Sequence, residues 1–321
     1  MNIFSGQHFT LVYLDLIRSA LSSTPRFEPS RVGSVLDMGP AVIELCGSGN
    51  RLCLIAARAL NPFFALYELS WILSGSNSLS GLQYFIHDYG KFSDDNKTLY
   101  GAYGYRLRKY HGFDQIEKAL ALLKSNPSNR RASLLIWSST DLGYDSLDIP
   151  CNQLVNLKVR EGHLDLSVTN RSNDIYLGVP YNVLQYHALQ TYLAAELNLL
   201  PGKQIHFIDS LHFYERDLES MRALISDEAQ ERSERRLDLF ENSNWKEFVS
   251  LDHFWMTENF TTTTINTNTF MQVRNSYIMW KNEQRVQAVQ TVPRSEIGLV
   301  ALDWYVKRLG FDSAWLPKWY Y

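Results

Sequence analysis

Between Arg130 and Asn182 the sequence places three short motifs, NRR, IPCN and NRSNDIYLGVPYN. Arg131 and Arg171 each stand 20 positions from Cys151. A cysteine among arginines is a candidate nucleophile, because the thiolate is the attacking species and nearby positive charge favours it. Taken singly, each piece has a plainer reading: a cysteine after a proline as core packing, two adjacent arginines as a solvated face, Gly178-Val179-Pro180-Tyr181 as a turn into a helix. Glu68 adds a second chemical signal. It interrupts the apolar run NPFFALYELSWILSG, where an unpaired carboxylate is costly to bury. A buried glutamate has a raised pKa suited to proton transfer, and a salt-bridged structural glutamate is the alternative.

In this order and spacing the motifs resemble thymidylate synthase and the related pyrimidine-nucleotide hydroxymethylases, whose pattern runs SRR, then PCH, then QRSxDxxLGxPFN. The resemblance extends back through Glu68, Trp71 and Gly75, through Tyr103-Gly104 and through Asp114–Ile116, and forward through His212 and Tyr214. It covers about residues 60–218. It implies an α+β fold of one domain, 1–321, with a large mixed or antiparallel sheet flanked by helices and one sheet face used for dimerisation. Residues 225–321 are then C-terminal elements, divergent from the family, that pack on the same domain.

The chemistry implied is transfer of a one-carbon unit from 5,10-methylenetetrahydrofolate to carbon 5 of a pyrimidine nucleotide similar to dUMP. Addition of the Cys151 thiolate at carbon 6 turns a poor carbon nucleophile into an enolate-like one and splits one hard step into two. The resemblance assigns the nucleotide 5′-phosphate to Arg130, Arg131, Arg171 and Ser172, with Arg31 as a further ligand or a plain surface arginine. Guanidinium forks match phosphate geometry. Arg130 and Arg131 would come from the partner of a symmetric homodimer. Asn182 would read the base, and the asparagine there favours uracil over cytosine; His212 and Tyr214 would bind the sugar hydroxyl. Glu68 would handle protons, and Tyr103 would position the water that removes the carbon 5 proton. Asp174, Leu177, Gly178 and Tyr181 would hold the folate.

Four departures stand out. Asn152 replaces the histidine after the cysteine, yet keeps a polar side chain near the base, and Asn170 replaces a longer glutamine. No tryptophan-containing folate segment is recognisable between Gly81 and Leu99, and the final WLPKWYY is unlike the small apolar closing tail of thymidylate synthase. A hydride from folate gives a methyl product and water gives hydroxymethyl, so loss of water-excluding devices leaves both products open. Two further readings remain: a catalytically inactive relative that binds nucleotide or RNA, and an unrelated cysteine hydrolase.

The surrounding elements must position these groups. Residues 7–24 carry helical spacing, 41–46 read as a short strand and 61–75 as a buried helix. Residues 86–101 read as a surface loop and 114–124 as a short amphipathic helix. ASLLIWS is a strand, and LVNLKV and HLDLSVTN form a hairpin about Glu161-Gly162. Residues 180–197 form a long helix, IHFIDSLHFY reads as one strand, SDEAQERSERR as a charged helical segment, TTTTINTNT as a strand or linker, and SEIGLVALDWYVKRLG as a helix. The net charge of −3, from 31 basic and 34 acidic residues, lacks the basic excess of a non-specific nucleic-acid binder. Any anion site must therefore be a local arginine cluster. The N-terminus lacks signal-peptide character and no apolar run spans a bilayer. Three cysteines without metal or redox spacing point to a cytoplasmic chain with reduced thiols, in which Cys46 and Cys53 are inert core residues.

Overall fold

Two mixed sheets organise the computed structural model, which describes residues 1–30, 33–47, 49–225 and 268–320. The larger has six strands in the order β1 (Asn2–Gly6), β4 (Ala41–Leu45), β9 (Leu200–Ile208), β7 (His163–Asn170), β6 (Asn152–Arg160) and β5 (Ser133–Leu135). The smaller has the order β2 (Arg26–Ser30), β3 (Gly33–Asp37), β10 (Leu211–Tyr214) and β8 (Asn173–Asp174). Parallel and antiparallel pairs alternate irregularly, as in the expected α+β class. The hairpin between β6 and β7 turns at Glu161 and Gly162 with φ of 49° and 77°; positive φ at both central residues matches the right-handed strand twist.

One expected strand is divided. IHFIDSLHFY breaks at Asp209-Ser210, so that β9 stays in the large sheet while β10 joins the small one. The reason lies in its neighbour. Strand β7 ends at Asn170 and re-forms as β8 after Arg171-Ser172. The two parallel partners bend together, tied across the bend by Asp209 N–H to Asn170 O (3.0 Å) and Asn173 N–H to Ser210 O (3.0 Å). Arg171 and Ser172 therefore sit at the crease between the sheets.

Helices cover the inner face. Helix α1 (Phe9–Ser22) packs its apolar stripe beside β1 and β4. Helix α2 (Pro62–Leu73) is buried on every side; Asn61 caps it by accepting from Phe64 N–H, and Gly75 turns away at φ 70°. Short helices α3 (Ser80–Phe85) and α4 (Tyr103–Tyr105) precede α5 (Gln115–Ser125), which Asp114 caps through the N–H groups of Ile116 and Glu117. Helix α6 (Val179–Glu196) joins two apolar cores, with Val179 and Val183 in one and Leu184, Ala188 and Leu189 in the other. After α7 (Leu218–Ala223) come α8 (Asn268–Lys281), α9 (Arg285–Thr291) and α10 (Glu296–Leu309). Phe63 of α2 stacks on Tyr277 of α8 (4.7 Å) and meets Trp304 of α10 edge-on (5.3 Å). The SDEAQERSERR segment and most of TTTTINTNT lie outside the described residues.

Residues 86–101 are less of a surface loop than their composition implies. His87–Phe92 forms a 3-10 turn, and Ser93, Leu99 and Gly101 are buried. Asp95 absorbs the local donors, accepting from the N–H groups of Lys97 and Thr98 and from the Thr98 hydroxyl.

The outer face of the large sheet is uncovered among the described residues. Ile3, Val42, Phe207, Thr169, Leu154 and Leu135 lie in one register row across all six strands. Ile3, Phe207 and Leu135 are 63%, 45% and 50% exposed.

Behind α4, a buried ion pair fixes the following turn. Arg106 donates twice to Asp141 (3.0 and 3.0 Å) while its guanidinium lies over Tyr110 and Tyr100. Burial pushes the Asp141 carboxyl up, but Arg106, the Ser138 N–H and the Tyr100 hydroxyl together hold it below its ordinary value. Asp141→Leu strands the guanidinium in a dry site. We expect it to lower unfolding free energy by about 3–5 kcal/mol, checked by urea denaturation.

Candidate active site

Cys151 stands half-buried immediately before β6, at the crease. Arg171 folds back over the segment that delivers it. Its Nε donates to Pro150 O (3.0 Å), its Nη2 to Ile149 O (3.0 Å), and its backbone N–H to Cys151 O (3.0 Å). Its guanidinium also lies 5.9 Å from the Trp137 ring centre. A permanent positive charge is thus attached to the backbone carrying the thiol.

Other elements reach the same place. Tyr103 comes from the start of α4, and burial pushes its hydroxyl well above its ordinary pKa, with the neighbouring Cys151 adding to the effect. Tyr214 of β10 is raised by burial, with smaller contributions from Asp174 and Cys151. Ser172 shares a hydrogen bond with His212 Nδ1 (3.2 Å), and His212 meets Tyr214 edge-on at 5.7 Å. Asn152 and Asn170 face each other across β6 and β7. Both are fully buried, and the Asn152 amide has no partner among the described residues.

Glu68 projects from the all-buried α2. Burial pushes its carboxyl up to about 8, partly offset by a hydrogen bond from Gln185 Nε2 on α6. Tyr89 and Tyr181 are close enough for Glu68 to raise their hydroxyls further, although burial is the main cause for both and carries Tyr181 to about 12. The Tyr181 hydroxyl accepts from Asn61 N–H (3.2 Å), which ties α6 to the cap of α2.

Asp174, Leu177, Gly178 and Tyr181 follow one another into α6. One Asp174 oxygen accepts from the N–H groups of Tyr176 (2.7 Å) and Leu177 (3.0 Å). Burial raises its pKa, against the pull of the Leu177 N–H, His212 and Arg58. Leu177 is 47% exposed beside this carboxylate. An apolar side chain next to a half-buried acceptor can meet a flat ring that carries donors. Gly178 also has a packing reason, since a Cβ there would lie 2.6 Å from Asn173 Oδ1.

Three expected residues are not brought to Cys151 in this way. Arg130 and Arg131 lie exposed just ahead of edge strand β5, and neither side chain forms a hydrogen bond or ion pair among the described residues. Lys158 is nearby: burial lowers its pKa, as do the charges of Arg130 and Arg160. Arg31 lies outside the described residues. Of the other cysteines, Cys53 is a core residue, pushed by burial to about 11, whereas Cys46 is only half-buried and stands near Glu44 and Lys203. Sequence reasoning missed Asn173, Gln185 and Arg58. Arg58 donates to Tyr176 O (2.8 Å) and stacks on its ring (4.3 Å). Gln185 and Arg58 gave one available signal, as polar residues within apolar runs, whereas Asn173 lies in the polar stretch from Asn170 to Asp174 and gave none.

The family model described as thymidylate synthase matches residues 12–269. The chain belongs to the thymidylate synthase family. It is 32% identical over 227 residues to deoxyuridylate hydroxymethyltransferase of Bacillus phage SP01, covering 67% of this chain and 59% of that protein. It is 36% identical over 177 residues to deoxyuridylate hydroxymethyltransferase of Pseudomonas phage M6, covering 54% and 50%. Thymidylate synthase of Mycoplasma pneumoniae is 36% identical over 132 residues, covering 41% and 46%. The chain therefore spans about half the length of the relatives it matches.

The Glu68 carboxyl has a testable titration. With a pKa raised from 4.5 to about 8, its protonated form is the one the fold stabilises. That contribution is fully present below 4.5 and is lost as pH rises through about 8. We expect an infrared carboxyl band, absent in Glu68→Gln, to titrate near pH 8. Gln185→Leu removes a donor to the carboxylate and moves the midpoint upward; an unmoved midpoint would show that the amide does not tune Glu68.

Proposed function

We propose that this chain transfers a one-carbon unit from 5,10-methylenetetrahydrofolate to carbon 5 of a dUMP-like pyrimidine nucleotide, giving a 5-methyl or 5-hydroxymethyl product. The observation that carries the reading is the Arg171 guanidinium bound to the backbone that presents the Cys151 thiol at the crease. Family membership and the names of the phage relatives support it. The Cys151 sulfur bonds to carbon 6 of the ring, and the electron pair displaced from the carbon 5–carbon 6 double bond activates carbon 5. Arg171, with Ser172, grips the 5′-phosphate, and the guanidinium charge favours the thiolate. Asn182 pairs with the base, and His212 and Tyr214 take the sugar hydroxyl. Glu68, neutral below about pH 8, donates and recovers protons, while Tyr103 orients water near carbon 5. Asn152 keeps a buried amide beside the base, in place of an imidazole. Asp174, Leu177, Gly178 and Tyr181 hold the folate, which when bound supplies the one-carbon unit and, for a methyl product, a hydride.

The same reading includes a single domain and a symmetric homodimer, in which the apolar row on the large sheet packs against a second copy. Two features support it: the row is open to water, and exposed Arg130 and Arg131 lie beside its β5 edge without side-chain partners among the described residues. They would reach the phosphate in the partner, and Arg31 would be a further phosphate ligand. No helix among the described residues is long and apolar enough to cross a membrane, and the proposed setting is the cytoplasm.

Cys151→Ala is expected to cut turnover by at least about 10⁴-fold while leaving nucleotide binding intact. Tritium release from 5-tritiated dUMP reads turnover, and mass spectrometry of the product separates methyl from hydroxymethyl. Retained turnover would remove the covalent step, and no release from the wild-type chain with any pyrimidine nucleotide would favour a pure nucleotide binder. Mixing inactive Cys151→Ala with inactive Arg131→Ala should restore turnover through mixed dimers; no recovery would argue against sharing of the site between copies.

A further inference from the structure

Arg58 ends the 3-10 turn ahead of α2, is only 8% exposed, and forms no ion pair among the described residues. Its Nη2 donates to Tyr176 O (2.8 Å), and its guanidinium lies 4.3 Å from the Tyr176 ring centre. A buried cation without a carboxylate partner is costly, and a neutral donor could hold one carbonyl as well. What a charge adds is an effect at longer range, and Asp174 lies within its reach. Tyr176, whose carbonyl Arg58 grips, donates its own N–H to Asp174 Oδ1 (2.7 Å), as does Leu177 (3.0 Å). We propose that Arg58 is a positioning residue of the folate subsite, acting through Tyr176 on the Asp174 carboxylate. This rests on the reading of Asp174 as a folate-binding residue.

The two oxygens of that carboxylate have different surroundings. Oδ1 is occupied by the two backbone N–H groups, whereas Oδ2 accepts no hydrogen bond among the described residues. Oδ2 is therefore the atom left for a donor on a bound ring. With Oδ1 held by two donors, an added proton goes to Oδ2, which then presents a donor to the ring's own N–H. Burial favours that proton; the Leu177 N–H, His212, the Tyr176 N–H and Arg58 resist it. Tyr13 of α1, Tyr214 of β10 and Asp217 are the other titratable groups that feel the Asp174 charge, and none of them is a cation. Arg58 differs from His212 in carrying a charge that no working pH removes. It acts on Asp174 twice, by holding the residue that supplies one N–H and by its own field.

The test reads Asp174 directly. Its carbon-13 carboxyl resonance, assigned by its loss in Asp174→Asn, is titrated by NMR in the intact chain, in Arg58→Met and in Arg58→Lys, without folate. The midpoint should rise by about half a pH unit or more in Arg58→Met, short of the shift from a directly paired charge. It should stay near the wild-type value in Arg58→Lys. The second readout is affinity for tetrahydrofolate, which has no one-carbon unit to transfer, measured by calorimetry with dUMP present. Arg58→Met should bind it more weakly on the acid side of the midpoint, and the deficit should shrink as pH rises. An unmoved midpoint, or one that rises as far in Arg58→Lys, overturns the proposal and leaves the transferase reading intact. So does a binding deficit that is absent, or equal at every pH, as direct contact with folate or a general loss of structure would give. An intact chain that binds no tetrahydrofolate overturns the transferase reading, and this inference with it. Should Arg58→Met fail to fold, Arg58→Gln keeps a donor for the Tyr176 carbonyl without the charge; a raised midpoint is again expected, and an unmoved one overturns the proposal.

Discussion

The paired bend of two parallel strands is the constraint on which the rest depends. Strand β7 gives way to β8, and β9 to β10, at the same level, with backbone hydrogen bonds crossing the gap from Asp209 to Asn170 and from Asn173 to Ser210. A regular sheet would send Arg171 and Ser172 to opposite faces of a continuing ladder. The bend instead releases them from pairing. The Arg171 guanidinium can then turn back onto the Ile149 and Pro150 carbonyls, and Ser172 can meet His212. Residues that lie far apart in the chain gather at the crease because two strands leave one sheet and enter another together.

Burial does much of the chemical tuning around that crease. Helix α2 has no solvated face, so the Glu68 carboxyl cannot be ionised cheaply, and one amide donor from Gln185 only moderates the effect. Asp174 experiences the same penalty, partly relieved by the backbone N–H groups at the entry to α6 and by the nearby Arg58 and His212 charges. Elsewhere the fold solves the problem differently. Asp141 is equally enclosed, yet two guanidinium hydrogen bonds keep it charged. Burial favours the protonated form of Glu68, whereas the paired guanidinium hydrogen bonds favour the charged form of Asp141.

The outer face of the large sheet offers a contrast. Its inward residues are sealed by α1, α2 and α6, while the row from Ile3 to Leu135 faces away from them and alternates with polar neighbours such as Ser167 and Asn156. Large apolar side chains left open to water along one sheet face, as Ile3, Phe207 and Leu135 are, are a usual mark of an interaction face. The proposed second copy would cover it and would give Arg130 and Arg131 an anion to face, which the described part of a single chain does not.

Much of this was legible in the order of residues. Short-range physics fixed α2 through Asn61, Pro62 and Gly75, α5 through Asp114, α10 through Ser295 and Gly310, and the hairpin at Glu161-Gly162. The motif spacing singled out Cys151, Arg171, Asn182 and Glu68. It could not show that IHFIDSLHFY divides between two sheets, because that break is imposed by a neighbouring strand rather than by any local breaker. Nor could it find Asn173 and Gln185, whose importance comes only from what they touch: one meets an amide nine positions later, the other a carboxyl on a different helix. Local sequence dictates caps, turns and periodicity because those interactions span a few residues. Which polar groups share a buried site depends on long-range packing, and only the assembled tertiary structure decides it.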